Sequence, residues 1–315
     1  MEMRKLGRSE IAIAPLVLGG NVFGWTADQA TSFSILDAFV DAGFNAIDTA
    51  DVYSRWSPAG AGASERVIGA WLKASGKRGQ VVIATKFGME MAPDRKGLSA
   101  RYMVAAVEES LARLQTGYID LYQAHCDDVA TPQEETGEAF ASLVRAGKVR
   151  VIGASNFDAA RLTSANALAE KNGWPRYETL QPLYNLYDRA AFEGELAAAC
   201  AVGEISVIPY YGLASGFLTG KYRSEADLAK SPRGRGAKKY LTDRGLRILA
   251  ALDTAGARLG ATPAQVSLAW LMAKVTAPIA SATSVAQLHE LMAAAALKLD
   301  DKAMAALDAA SAPLG

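Results

Sequence analysis

The strongest constraint on this chain is a recurrence. Eight short apolar runs follow one another, and a helical pattern comes after each. They are Leu16–Gly20, Ala46–Ala50, Val81–Lys86, Ile119–His125, Val149–Ser155, Thr179–Leu183, Ser206–Tyr211 and Ala277–Ala282. Most are apolar at nearly every position rather than at alternate ones. A strand reads this way when both faces are covered, as in a parallel sheet packed beneath helices. The segments between them carry helix start and stop signals. Thr131-Pro132-Gln133-Glu134 and Thr262-Pro263-Ala264-Gln265 each predict a capping box with proline at the first helical position. Phe140, Leu143 and Val144 then share a face, and Gly147 ends that helix. Val104, Val107, Leu111 and Leu114, spaced 3, 4 and 3 apart, predict one apolar stripe between Ser99 and Gly117.

Eight strand–helix units with no linker among them predict an α/β fold, a single (β/α)8 TIM barrel spanning residues 1–315. An open doubly wound sheet is the rival, and it usually keeps a glycine fingerprint that this sequence lacks. Met3–Leu6 and Ile11–Ala14, with Gly7-Arg8-Ser9 between, predict an N-terminal hairpin that plugs the barrel bottom. Thr219–Lys239 is long, polar and basic, and predicts a mobile loop after the seventh strand.

Composition removes several functions. The 33 Lys+Arg balance 33 Asp+Glu, so the basic footprint of a nucleic-acid binder is missing. No apolar run reaches membrane-spanning length, and the N-terminus lacks the apolar core of an export signal. Cys126 and Cys200 make no disulfide framework, which predicts a reduced, cytoplasmic protein. His125 and His289 are the only histidines, so zinc sites built from several histidines are excluded and no metal is expected. Walker, Rossmann and nucleophile-elbow motifs are absent together.

Barrel chemistry sits at the C-terminal ends of strands. There the second strand offers Asp48, with Tyr53 five residues on; the third offers Lys86 and the fourth His125. A free tyrosine donates its proton poorly at neutral pH, and a neighbouring cation that stabilises the phenolate eases the transfer. A buried lysine in turn needs a carboxylate. Asp48–Lys86–Tyr53 is such a relay, and His125 is placed to hydrogen-bond a carbonyl oxygen. Each residue alone has a plainer reading, as cap, packed aromatic or solvated charge. Four on successive strand ends do not.

These residues resemble the aldo-keto reductase family over essentially the whole chain. Gly43-Phe44-Asn45-Ala46-Ile47-Asp48-Thr49-Ala50-Asp51-Val52-Tyr53 is similar to its GFxxIDTAxxY signature, and Ile119–His125 to its IDLYQxH strand. Gly153-Ala154-Ser155-Asn156-Phe157 resembles its GxSNF turn, and Ser215–Lys221 its cofactor loop. The resemblance implies an NAD(P)H-dependent oxidoreductase interconverting carbonyls and alcohols, with Asp48, Tyr53, Lys86 and His125 as catalytic tetrad. Tyr53 would be the general acid/base. It also implies that Ser155, Asn156 and Gln181 hold the nicotinamide carboxamide, and that Tyr210 or Tyr211 stacks on its ring. Gly212, Leu213, Ser215, Gly216 and Lys221 would wrap the pyrophosphate.

One region departs from the family pattern. NADPH-preferring members place basic side chains just after the eighth strand, yet Pro278–Glu290 holds no Lys or Arg. Ser281, Thr283, Gln287 and Glu290 would face the adenosine end, with the basic loop around Arg233 and Arg235 folding over the phosphate. NADP remains the leading cofactor, with NAD as the alternative. Phe23, Trp25, Trp56, Met89 and Cys126 are expected to line the substrate pocket, with Cys126 more a structural thiol than a nucleophile. The expected partner is a small carbonyl or alcohol, and the expected assembly a monomer or small homo-oligomer. The competing reading is a catalytically weak, nicotinamide-binding regulatory subunit like the potassium-channel β-subunits of the family. A start almost directly at the hairpin favours the enzyme.

Overall fold

The computed structural model describes residues 1–231 and 234–313. Two short strands, β1 (Arg4–Lys5) and β2 (Ala12–Ile13), pair antiparallel. The barrel strands are β3 (Val17–Gly19), β4 (Ala46–Asp48), β5 (Val82–Phe87), β6 (Ile119–Ala124), β7 (Val149–Ser155), β8 (Tyr177–Gln181), β9 (Ser206–Val207) and β10 (Ile279–Ala280). They are parallel and stand in the order β10-β3-β4-β5-β6-β7-β8-β9. The seam between β9 and β10 is closed by Ile279 N–H donating to the Pro209 carbonyl at 2.9 Å and Thr276 N–H to that of Val207 at 3.1 Å. The last two barrel strands are each shorter than their apolar runs.

The helices are α1 (Gln29–Asp41), α2 (Ala63–Ser75), α3 (Ala100–Leu114), α4 (Gln133–Arg145), α5 (Ala159–Asn172), α6 (Glu195–Val202), α7 (Asp243–Leu259), α8 (Pro263–Lys274), α9 (Val285–Ala293) and α10 (Asp301–Ser311). Single helices join successive strands from β3 to β9, whereas α7 and α8 lie between β9 and β10. Outward strand residues such as Leu18, Ile47, Ile83, Tyr122, Ile152 and Leu180 pack with the helices. Inward ones obey the opposite parity. Val17, Ala46, Val82, Ala84, Leu121, Val151, Ile208 and Ile279 form a separate interior core. Leu6, Ile11 and Ile13 of the hairpin complete that core, so the hairpin does plug the barrel bottom. Arg4 pins it by donating to the carbonyls of Met272, Val275 and Thr276 at the end of α8, at 2.8–3.0 Å.

Three local expectations need correction. Thr262 caps α8 in the expected reciprocal box with Gln265, but Thr131 does not cap α4. The Thr131 hydroxyl donates instead to Asp128 Oδ2 at 2.6 Å, and Pro132 takes the cap position. A carboxylate three residues upstream outcompetes the helix end. In α3 the buried stripe runs through Met103, Val107, Leu111 and Leu114, while Val104 is 44% exposed. Finally, the segment after β9 is not a loose loop over its described part. It winds into 3₁₀ turns at Ala214–Thr219, Glu225–Lys230 and Gly234–Tyr240, and Tyr222, Ala237 and Tyr240 are fully buried. Tyr240 stacks on Phe217 and donates to Asp188 Oδ2 at 2.7 Å, which anchors the excursion to the rim.

Candidate active site

The inward parity that gives an apolar plug below gives polar groups above. Two residues beyond Ala46, Ala84 and Leu121 stand Asp48, Lys86 and Gln123. His125 follows Gln123 by two, and the backbone N–H of His125 bonds the Phe87 carbonyl at 2.9 Å. Gly153 leaves the room these side chains need: a Cβ there would overlap Thr179 Oγ1 and press on Gln123 Cγ at 3.1 Å. Tyr53 comes from the turn after β4, where Tyr53 N–H bonds the Ala50 carbonyl at 3.2 Å. The next residue, Ser54, adopts φ 71° and fixes the turn by donating to the Phe23 carbonyl at 2.9 Å.

The four expected groups are brought together. Lys86 Nζ donates to Asp48 Oδ2 at 2.7 Å, to the Thr49 carbonyl at 2.8 Å and to the Tyr53 hydroxyl at 3.0 Å. The lysine is wholly buried and the aspartate 2% exposed. His125 packs edge-on to Tyr53, with ring centroids 6.1 Å apart. Its Nδ1 is buried and has no hydrogen-bond partner among the described residues.

The protonation states differ from the simplest expectation. Burial, and then the Asp48 carboxylate, push the Tyr53 phenol well above the usual tyrosine value rather than below it. Asp48 sits within 3.5 Å of the hydroxyl, so the aspartate offsets the lysine that was expected to dominate. Tyr53 therefore holds its proton at neutral pH. Burial lowers Lys86 while Asp48 works against that. Burial, and then Lys86, hold His125 well below its ordinary range, so its imidazole is neutral and can donate from one nitrogen.

The residues assigned to the cofactor fall into three groups. Ser155, Asn156, Gln181 and Tyr210 converge beside the tetrad. Asn156 has φ 57°, donates to the His125 carbonyl at 2.9 Å, and accepts from the Tyr210 hydroxyl at 2.9 Å. Ser155 Oγ donates to the Gln181 carbonyl at 2.8 Å, and Gln181 Nε2 to Asp48 Oδ1 at 2.9 Å. Tyr211 lies edge-on to Tyr210, is 47% exposed and has φ 56°. Past Gly212 and Leu213, Ala214, Ser215 and Gly216 all take left-handed φ values of 47°, 57° and 87°. That is a costly backbone for Ala and Ser, of the kind found where a loop is shaped for a ligand. Lys221 Nζ lies 3.4 Å from where a Cβ on Gly216 would be, with no carboxylate partner among the described residues. A left-handed loop beside an unpaired ammonium fits a pyrophosphate.

The third group is already engaged. Ser281 Oγ donates to Asn21 Oδ1 at 2.6 Å. Gln287 Oε1 accepts from both Thr283 N and Oγ1, at 2.9 and 3.0 Å, just outside the N-terminus of α9. The Glu290 carbonyl accepts from Gln265 Nε2 at 3.3 Å. Arg233 lies outside the described residues.

On the substrate side, Trp25 and Trp56 meet edge to face at 5.6 Å, and Trp56 tilts over Tyr53 at 6.4 Å. They are 37% and 50% exposed, so they border the mouth above the tetrad. Met89 is half-buried just past β5. Cys126 is half-buried against the Gly88 carbonyl, and burial, then Asp128 and Asp127, push its thiol up. Phe23 is a correction: it is fully buried in the helix-side core rather than exposed at the mouth.

Two residues were missed. Gln123 is wholly buried, and its Oε1 accepts from Gln181 Nε2 at 3.3 Å beneath Asp48. Its inward parity with Leu121 and His125 was the available signal. Asn21, which holds Ser281, gave none, because 260 residues separate the pair.

A closed parallel barrel thus carries on its rim a buried lysine–aspartate pair on a tyrosine hydroxyl, beside a neutral histidine, a set of groups with the chemistry to give and take a proton. A sequence model of the Aldo/keto reductase family matches residues 15–312. The chain is 36% identical to the uncharacterized oxidoreductase YrpG of Bacillus subtilis (strain 168), over 98% of this chain and 95% of that one. It is 34% identical to the aldo-keto reductase YhdN of the same organism, over 86% and 80%. A protein of Oryza sativa subsp. japonica named probable voltage-gated potassium channel subunit beta is 32% identical, over 93% and 91%. The chain belongs to the aldo/keto reductase family and is an oxidoreductase. Among the described residues no helix is long and apolar enough to cross a membrane.

Proposed function

We propose that the whole chain acts as one NADPH-dependent reductase of small aldehydes or ketones, running in reverse as an alcohol dehydrogenase. The observation that carries this reading is the buried Lys86 ammonium bonded at once to Asp48 and to the Tyr53 hydroxyl. Bound nicotinamide would supply the hydride. Tyr53, which holds its proton at neutral pH, gives it to the carbonyl oxygen, and Lys86 stabilises the phenolate left behind. His125, neutral and edge-on to Tyr53, donates the hydrogen bond that orients the carbonyl. Ser155, Asn156 and Gln181 would hold the carboxamide with Tyr210 against the ring, and Ser215, Gly216 and Lys221 the pyrophosphate. Trp25 and Trp56 would cover the substrate's apolar face. The adenosine end carries hydroxyls and an amide at Ser281, Thr283 and Gln287, so NADH remains the competing cofactor.

Tyr53→Phe tests the reading. The variant should still quench tryptophan fluorescence with NADPH as the wild type does, while turnover on a carbonyl panel falls by orders of magnitude. Full turnover would remove Tyr53 as proton donor. The potassium-channel-subunit reading is favoured only by the names of the rice and Arabidopsis thaliana relatives. Wild type that binds NADPH but turns over no carbonyl would support it.

A further inference from the structure

A second set of charged groups lies behind the tetrad, between the barrel wall and α2–α3. Glu65 of α2 is wholly buried and accepts from Arg113 Nε of α3 and from Thr85 Oγ1 of β5, both at 2.6 Å. Asp51, in the turn between Asp48 and Tyr53, points into the same space and is 1% exposed. Its backbone N–H bonds the Lys86 carbonyl at 3.1 Å and the Val52 backbone N–H supports its carboxyl, yet its Oδ1 has no hydrogen-bond partner among the described residues. Two buried phenols, Tyr102 of α3 and Tyr122 of β6, also have no hydrogen-bond partner for their hydroxyls among the described residues. Together with Asp48 and Lys86, the region holds three carboxyl groups and two cations. Glu109 and Arg95 stand at its outer edge, bonded to Arg113 and to each other respectively. Lys86 pairs with Asp48 and Arg113 with Glu65, while Asp51 makes no direct ion pair among the described residues and feels Arg113 and Lys86 only from farther off.

We propose that Asp51 is where this buried cluster keeps a proton, making it a positioning residue that sets the charge balance on Lys86 and, through it, on Tyr53. The inference rests on the reductase reading for its kinetic consequence but not for its physical one. Burial first, and then the Glu65 carboxylate, raise the Asp51 carboxyl to about 7. Below that pH, Lys86 is held by Asp48 in direct contact and by Glu65 from farther off. Above it, the Asp51 carboxylate adds to them and strengthens the hold of Lys86 on its proton. The ammonium that stabilises the Tyr53 phenolate is thus held further into alkaline pH.

The sign for stability follows from the same shift. A carboxyl whose folded value is raised favours the folded state below the ordinary aspartate range. That contribution is lost as pH climbs to about 7. Asp51→Asn fixes the neutral form. It should abolish a step near pH 7 in the turnover profile and move the alkaline limb to lower pH. It should also remove the loss of urea stability between pH 4 and about 7. A folded variant whose turnover and stability profiles both superimpose on wild type overturns the proposal. Stability profiles that differ, in a protein with no turnover at all, would sink the reductase reading and leave Asp51 as the proton holder. Should the variant fail to fold, infrared difference spectra of wild type decide. A protonated-carboxyl band lost across neutral pH supports the proposal, and its absence at every pH overturns it.

Discussion

Lys86 spends its three donors on Asp48, Thr49 and Tyr53 and is wholly buried. Removing the ammonium strands a carboxylate in the barrel. Lys86→Met should therefore cost roughly 3–5 kcal/mol of stability, measured by urea unfolding, besides its turnover. Adding Asp48→Asn should return most of the stability and none of the activity. These positions were legible because strand ends and inward parity are written in the order of residues, and Gln123 could have been read the same way. Asp51 could not. It stands in the turn between Asp48 and Tyr53, while the charged and phenolic groups around it come from α2, α3 and β6. The upward displacement of Tyr53 was equally hidden, because it depends first on how deeply the phenol is buried and then on how near Asp48 approaches the hydroxyl.

The two Thr-Pro helix starts show how far local chemistry carries at the scale of an element. Their residues are nearly interchangeable, and only Thr262 faces an uncontested helix end; Thr131 answers to Asp128. Thr262→Ala should lower stability by ~1 kcal/mol, whereas Thr131→Ala should leave the capping of α4 untouched. Far-ultraviolet circular dichroism melts of the two variants make the comparison. All eight barrel strands were visible as apolar runs, since burial on both faces leaves few other readings. The α3 stripe was displaced by one residue at its start, where Val104 and Met103 fit the spacing equally and only packing distinguishes them. The excursion after β9 misled for a related reason. Its glycines and lysines outnumber the tyrosines that bury it.

For the molecule as a whole, the hairpin decides whether the barrel interior is filled. Leu6, Ile11 and Ile13 supply the lowest layer of a core that the strands alone leave open. Ile13→Ala should cost roughly 2–5 kcal/mol, read as a lower urea midpoint, with NADPH quenching unchanged because the plug lies at the opposite end from the rim. The strands are not equally long around the ring. Those that carry Lys86 and Ser155 or lead directly into His125 run six or seven residues, while β9 and β10, beside the loop assigned to the pyrophosphate, run two each. Backbone pairing is thus dense along β5–β7, which set Lys86 and His125, and sparse at the seam. A nucleotide bound as proposed would meet the wall best able to yield as it arrives and departs, like the hinged side of a clasp, while the opposite wall keeps lysine and histidine in register.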